Sequence, residues 1–326
     1  MAVEMLGKPR VTNVDDASIA WTELGSGPPL ILLHGVGDSH RTWRRVADRL
    51  AARHRVLLPD LPGHGLSSRP DAPYTIDWYA KTMLAWADNV GVSRASIVGH
   101  SFGGGVAQWM LLQQPSRLER LGLVAPGGLG VEVSIGLRLA SIPVLAPIIA
   151  PYLMGVGTHL MMRTGQLVMP EPDEIARIAW MNSAPGTARA FCRTVSGCMD
   201  LFGQTMQSWD RIHEIAKLPP MALFWGDRDR ILPVHHAVSA AARIEGATVS
   251  RYANSGHFPQ LEESERFTDD VLRFLDDEVP SNPRLRPVMM KPRKTSFFGR
   301  VLTQLRAAMR AVLRPSQPPA AHAGPA

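Results

Sequence analysis

Cysteine is the scarcest chemistry in this chain: 326 residues contain two, Cys192 and Cys198. Two thiols make no disulfide framework, and their spacing lacks the partner ligands of a zinc site. A reducing, cytoplasmic setting is therefore expected, with neither metal nor cofactor. An uninterrupted apolar run is also missing. The most apolar stretch, LASIPVLAPIIAPYLMGVG at 139–157, is broken by Pro143, Pro147 and Pro151. A membrane-spanning helix needs about twenty consecutive apolar residues, which excludes this stretch. The first ten residues, MAVEMLGKPR, hold no apolar core of a secretory signal, so none is expected. Acid is absent at the other end. From Ser281 onward there are nine Lys/Arg residues and no Asp or Glu, which leaves 26 basic against 29 acidic residues before it. The body is thus mildly acidic despite the overall charge of +6, and nucleic acid is not an expected partner.

What is present alternates. Pro29 to Leu33, Arg55 to Pro59, Ala95 to Val98 and Leu121 to Ala125 read as short buried strands. Helical patterns at 42–52 and 76–90, and one through Val106, Ala107, Met110 and Leu111 that ends at Pro115, separate them. Such alternation predicts a mostly parallel, doubly wound sheet with helices on both faces, an α/β fold. It breaks after Gly127-Gly128. Residues 128–218 are rich in Met, Leu and Pro, with helical periodicity and no clear strand, so they read as a helical cap inserted into the core. Strands at 221–225 and 248–252 and helices at 234–242 and 266–275 then resume the core. The expected organisation is core at 1–127, cap at 128–218, core again at 219–279, and a tail at 280–326.

The stretch IVGHSFGGG at 97–105 sets one serine among four glycines, at the junction of a strand and a helix. In G-x-S-x-G the glycines permit a sharp turn that exposes the serine hydroxyl. A serine needs a base, and the base needs a carboxylate to fix its tautomer and stabilise the imidazolium. In a doubly wound sheet such groups belong just past the C-terminal ends of strands. Asp227 and Asp229 follow one strand, in WGDRDRILP, and His257 follows the next, in NSGHF. An oxyanion hole is also required. The N–H groups expected to form it are those of Phe102, next after the serine, and Val36, in the HGVGD loop after LILL. His34 is expected to orient that loop.

Taken together, LLHGVG, PDLPGHGLSS, GHSFGG, WGDRDRILP and NSGHFPQLE resemble the α/β-hydrolase superfamily over residues 20–278. The resemblance implies an α/β-hydrolase fold and a triad of Ser101 as nucleophile, His257 as base and Asp229 as acid. Asp229 is implied because the family's acid stands three residues after the glycine that ends its strand; Asp227 is then a bystander. His64, in PGHG, would sit at a structural turn. APGGLG at 125–130 followed by a cap is similar to carboxylesterases and to hydrolases of carbon–carbon bonds in meta-cleavage products. The carbon–carbon enzymes usually carry Asn before the nucleophile and Trp after the histidine, where this chain has His100 and Phe258. Epoxide hydrolases and dehalogenases carry Asp at the elbow, against Ser101, while cofactor-free haloperoxidases share the triad.

The expected activity is hydrolysis of an ester or related acyl bond in a small apolar molecule, with carbon–carbon hydrolysis as the alternative and a non-catalytic binding protein with a relict site as a third. Cap residues such as Ile148, Ile149, Leu153, Met154 and Leu160 suit an apolar substrate, although most of them would serve to bury the cap. In the tail, residues 281–295 read as a basic linker, and SFFGRVLTQLRAAMRAVLR at 296–314 as an amphipathic helix with an arginine face. That composition fits a helix lying on an anionic membrane surface, peripheral to its inner face. The competing expectation is a helix packed on the body.

Overall fold

The computed structural model describes residues 6–142, 171–276 and 284–285. The middle of the expected cap, including the apolar residues at 148–162, and the tail at 296–314 lie outside them. Eight strands form one sheet: β1 (Arg10–Val14), β2 (Ala17–Leu24), β3 (Pro29–Leu33), β4 (Arg55–Pro59), β5 (Ala95–His100), β6 (Leu118–Val124), β7 (Met221–Gly226) and β8 (Thr248–Tyr252). Their order is β1-β2-β4-β3-β5-β6-β7-β8. From β4 to β8 every pairing is parallel, and the β1–β2 and β2–β4 pairings are antiparallel. The hairpin of β1 and β2 was not foreseen. It turns at Asp15-Asp16, with Asp15 at φ 47°.

Each strand divides its side chains between two cores, as period-2 geometry requires. Ile31, Leu33, Leu57, Ile97, Leu121, Leu123, Leu223 and Trp225 face one side. Leu30, Leu32, Val56, Leu58, Val98, Val124, Ala222 and Phe224 face the other. Both faces are covered, which is why β5 and β7 are buried along their whole length.

The helices supply the cover. Where a helix at 42–52 was expected, a 3-10 turn at His40–Trp43 precedes a short α1 (Ala47–Ala51). The Asp60 carboxylate takes both the backbone N–H of His40, at 2.6 Å, and its ring Nδ1, at 2.9 Å, and so fixes the start of that turn. Helix α2 (Ile76–Asn89) begins at Thr75, whose hydroxyl accepts from the N–H of Trp78. It buries Ile76, Tyr79, Ala80, Met83, Leu84 and Ala87, one face at helical spacing. Helix α3 (Phe102–Gln113) follows β5 directly.

The described part of 128–218 holds α4 (Ile135–Ala140), α5 (Pro172–Asn182) and α6 (Thr187–Cys198). It also holds a small hairpin, Met199–Asp200 with Gly203–Gln204, where no strand was expected. Helices α7 (His235–Arg243), α8 (Pro259–Glu262) and α9 (Ser264–Asp276) complete the core. Ile175, Ile178 and Met181 of α5 pack on Phe258 and Leu261, which sets α5 against the loop that carries His257. Among the described residues no helix is long and apolar enough to cross a membrane.

Candidate active site

Parallel register brings five strand ends to one edge: Leu33 pairs with Gly99, His100 with Val124, Val124 with Phe224, and Gly226 with Tyr252. The loops after β3, β5, β7 and β8 therefore emerge together. They carry Val36, Ser101, Asp229 and His257.

Ser101 sits at φ 51° and ψ −115°, a conformation that costs a non-glycine residue about 1–3 kcal/mol. The neighbours hold it there. Its N–H donates to the carbonyl of Val124 at 2.9 Å, and its own carbonyl accepts from Gly105 at 3.2 Å and Gly127 at 3.0 Å. The turn is so tight that a Cβ on Gly103 would lie 2.4 Å from the carbonyl oxygen of His34. That contact explains why the elbow needs glycine there. Phe102 is the first residue of α3, so its N–H has no acceptor within the helix.

The loop at 34–38 is shaped by His34. Its Nε2 accepts from the N–H of Leu61 at 2.9 Å, so the proton sits on Nδ1, which donates to the Gly35 carbonyl at 2.8 Å. Burial lowers the pKa of this ring, in keeping with a neutral structural role. Helix α5 also grips this loop, because the side-chain amide of Asn182, at its end, donates to the Gly37 carbonyl at 2.9 Å.

Asp229 and His257 meet. Nδ1 of His257 lies 2.7 Å from Oδ2 of Asp229, whose side chain is fully buried. The other carboxylate oxygen accepts from the N–H groups of Ile231 at 2.8 Å and Leu232 at 2.9 Å. The carboxylate is thereby aimed, and the Nδ1 proton it accepts leaves the Nε2 lone pair free for a proton from elsewhere. Asp227 points away and pairs with Arg251 at 2.7 Å. A Cβ on Gly226 would lie 2.0 Å from the Gly256 carbonyl, so glycine alone lets the acid and histidine loops come this close.

Two groups at this edge were not recognised from sequence. Glu262 brackets His257, accepting from the N–H of Gly256 at 2.7 Å and of Phe258 at 3.0 Å. Its signal was a glutamate reaching back from a Pro-initiated turn to the residue that caps it. His100 had been noted only as a departure from Asn. Its ring lies 4.9 Å from that of His257 and 4.8 Å from that of Phe258, and its pKa is held well below the usual histidine range by burial and by the neighbouring His257.

The family model of the alpha/beta hydrolase family matches residues 30–271. The chain belongs to the alpha/beta hydrolase family. An uncharacterized protein of Mycobacterium tuberculosis is 36% identical, over 79% of this chain and 78% of that one. A 2-hydroxymuconate semialdehyde hydrolase of Pseudomonas sp. strain CF600 is 30% identical, over 81% of this chain and 90% of its own. Among solved structures, a bacterial membrane phospholipase A superposes with a TM-score of 0.69 at 25% identity, covering 82% of this chain and 86% of that one.

In this alpha/beta hydrolase a cleft opens over the elbow, and Val36, Ser101 and Phe102 all line it. Its other walls include Ile76, Trp109, Val133, Leu137, Met206 and Ile231. Cys198 also lines it, but burial pushes its thiol up to about 12, which disqualifies it as a rival nucleophile at neutral pH.

Proposed function

We propose that this hydrolase cleaves a carboxylic ester of a small apolar molecule through Ser101, His257 and Asp229. Ser101 Oγ attacks the acyl carbon while Nε2 of His257 takes its proton. Asp229 holds the Nδ1 proton and stabilises the imidazolium. The N–H groups of Val36 and Phe102 receive the negative oxygen of the tetrahedral intermediate, each worth about 2.7–4 kcal/mol of barrier. The alcohol departs with the proton from His257. Water then repeats the sequence on the acyl-enzyme, releasing the acid and restoring Ser101.

The observation that carries the ester reading is the character of the cleft. None of its described lining residues is charged, and the side chains of Gln204 and Thr194 are already engaged. The Gln204 amide bonds Gly128, Gly130 and Glu132 of the chain, and the Thr194 hydroxyl bonds Tyr79 and Ala190. Such walls favour an alkyl or aryl group over a carboxylate. A phospholipase A among the structural relatives supports the same class. Carbon–carbon hydrolysis is the second reading, supported by the likeness to the semialdehyde hydrolase.

A fluorophosphonate probe is expected to label wild-type protein at Ser101 and to leave Ser101→Ala unlabelled. A folded wild type that resists the probe would point to a relict site instead. A series of p-nitrophenyl esters, run beside one ring-fission product, separates the two reactions. Turnover of the ring-fission product alone would overturn the ester reading.

A further inference from the structure

Outside the catalytic edge, Glu132, His235 and His236 form the one group of metal-type ligands found among the described residues. Glu132 lies where the chain enters the cap, and the two histidines open α7, so the three are far apart in sequence. The fold brings one ligand atom from each to within 4.8 Å of the others. Oε2 of Glu132 is 2.8 Å from Nε2 of His236 and 3.7 Å from Nε2 of His235. The approach is built into the backbone, since a Cβ on Gly130 would lie 2.3 Å from Nε2 of His236.

We propose that these three residues bind a borderline divalent cation of the zinc class, at the seam between the cap and the loop that carries Asp229. Two imidazoles and a carboxylate, with a fourth position left to water, is a donor set that zinc accepts. Ligands 2.0–2.2 Å from a tetrahedral metal stand roughly 3.4 Å from one another. The present separations bracket that value. His236 is 3% exposed and fixed, whereas the side chains of Glu132 and His235 are 52% and 59% exposed and have room to adjust around it. The metal replaces the proton that Nε2 of His236 now shares with Glu132.

The position has consequences for the cleft. Val133, next to Glu132, forms part of its wall, and Ser134 donates to the carbonyl of Ile231 at 2.9 Å. Ile231 in turn donates to Asp229. A metal at the seam therefore ties the first cap segment to the acid loop. Sequence spacing held no sign of this site, because its ligands converge only through the fold.

The test is titration of the full chain with Zn²⁺ against a chromophoric chelator, with thermal unfolding followed in parallel. One Zn²⁺ per chain is expected, with an affinity in the micromolar range or tighter and a raised Tm. Glu132→Gln and His235→Asn, both at exposed positions, are each expected to weaken binding at least tenfold and abolish the rise in Tm. Absence of binding at 100 µM Zn²⁺, or the same affinity in both variants, would overturn the proposal. Neither readout depends on the hydrolytic reaction.

Discussion

The ring of His100 lies 2.9 Å from the backbone carbonyl of His257, to which its Nε2–H donates. A carbonyl only accepts, so this bond also fixes the tautomer of His100. The residue before Ser101 thus holds the backbone of His257, across two intervening strands of the sheet. In the proposed mechanism His100 acts through His257, as a positioning residue.

Removing that donor is expected to matter to turnover more than to binding. A misplacement of about 1 Å in a reacting group costs roughly 10²-fold. We expect His100→Leu to lose turnover on that scale with KM little changed, and His100→Asn, which keeps a donor, to recover most of it. Steady-state kinetics on one p-nitrophenyl ester decides the matter. Full turnover by His100→Leu would show the bond to be incidental.

The two aspartates after β7 give a second comparison. Asp229 is buried against His257, while Asp227 shares a partly exposed pair with Arg251. An asparagine in place of a triad aspartate leaves the geometry but favours the wrong tautomer, a loss of about 10⁴ in turnover in the serine-protease template. Asp229→Asn is expected to fall on that order. Asp227→Asn should stay within a few-fold of wild type, since exposed pairs contribute about 0–1 kcal/mol. The reverse ranking would move the acid to Asp227.

Much of this arrangement was legible because it is written in short local stretches. A serine among glycines, a carboxylate after one strand and a histidine after the next are each visible within ten residues, and the parallel sheet gathers strand ends by its nature. Contacts between distant segments were not legible. Asn182 on Gly37 and Ile178 near Phe258 join α5 to distant loops of the sheet and leave no periodicity behind. The β1–β2 hairpin was missed for a different reason: its turn is Asp15-Asp16, without the glycine that usually marks a two-residue connection. The expected helix at 42–52 failed where Val46, at φ −123°, interrupts it.

Buried neutral histidines predict how the fold responds to acid. Burial lowers the pKa of His34, brings that of His64 to about 3, and holds that of His100 well below its usual range. In the unfolded chain these rings take up protons near pH 6.5. Between there and the folded values the unfolded state binds more protons, so stability falls as pH falls. Each such ring contributes about 1.4 kcal/mol per pH unit within its window. Asp60 acts in a lower window. Burial alone would raise its pKa, but His40 and the other donors around it hold it at about 2, so its stabilisation is lost only below about pH 4. We expect Tm to be level above pH 7 and to fall steadily from 6.5 to 5, less steeply in His64→Gln. A level Tm across pH 5–7 would contradict the buried-neutral assignment.

The tail is testable from its sequence alone, and the residues concerned lie outside those the structure describes. On a helical wheel Phe297, Phe298, Val301, Leu302, Leu305, Met309, Val312 and Leu313 share an arc of roughly 160°, with Arg300, Arg306, Arg310 and Arg314 opposite. An apolar face of that width needs cover, either from the body or from lipid. The absence of any acid from Ser281 onward favours an anionic bilayer, where basic residues near the surface contribute about 1 kcal/mol each. An esterase for apolar molecules would there meet its substrate at the surface that dissolves it. We expect the full chain to sediment with anionic but not with neutral vesicles, less so as salt is raised. Truncation after Pro280 should abolish sedimentation and leave Tm unchanged. Equal sedimentation of the truncated chain would remove the tail from the account, and a large fall in Tm would instead place its apolar face against the body.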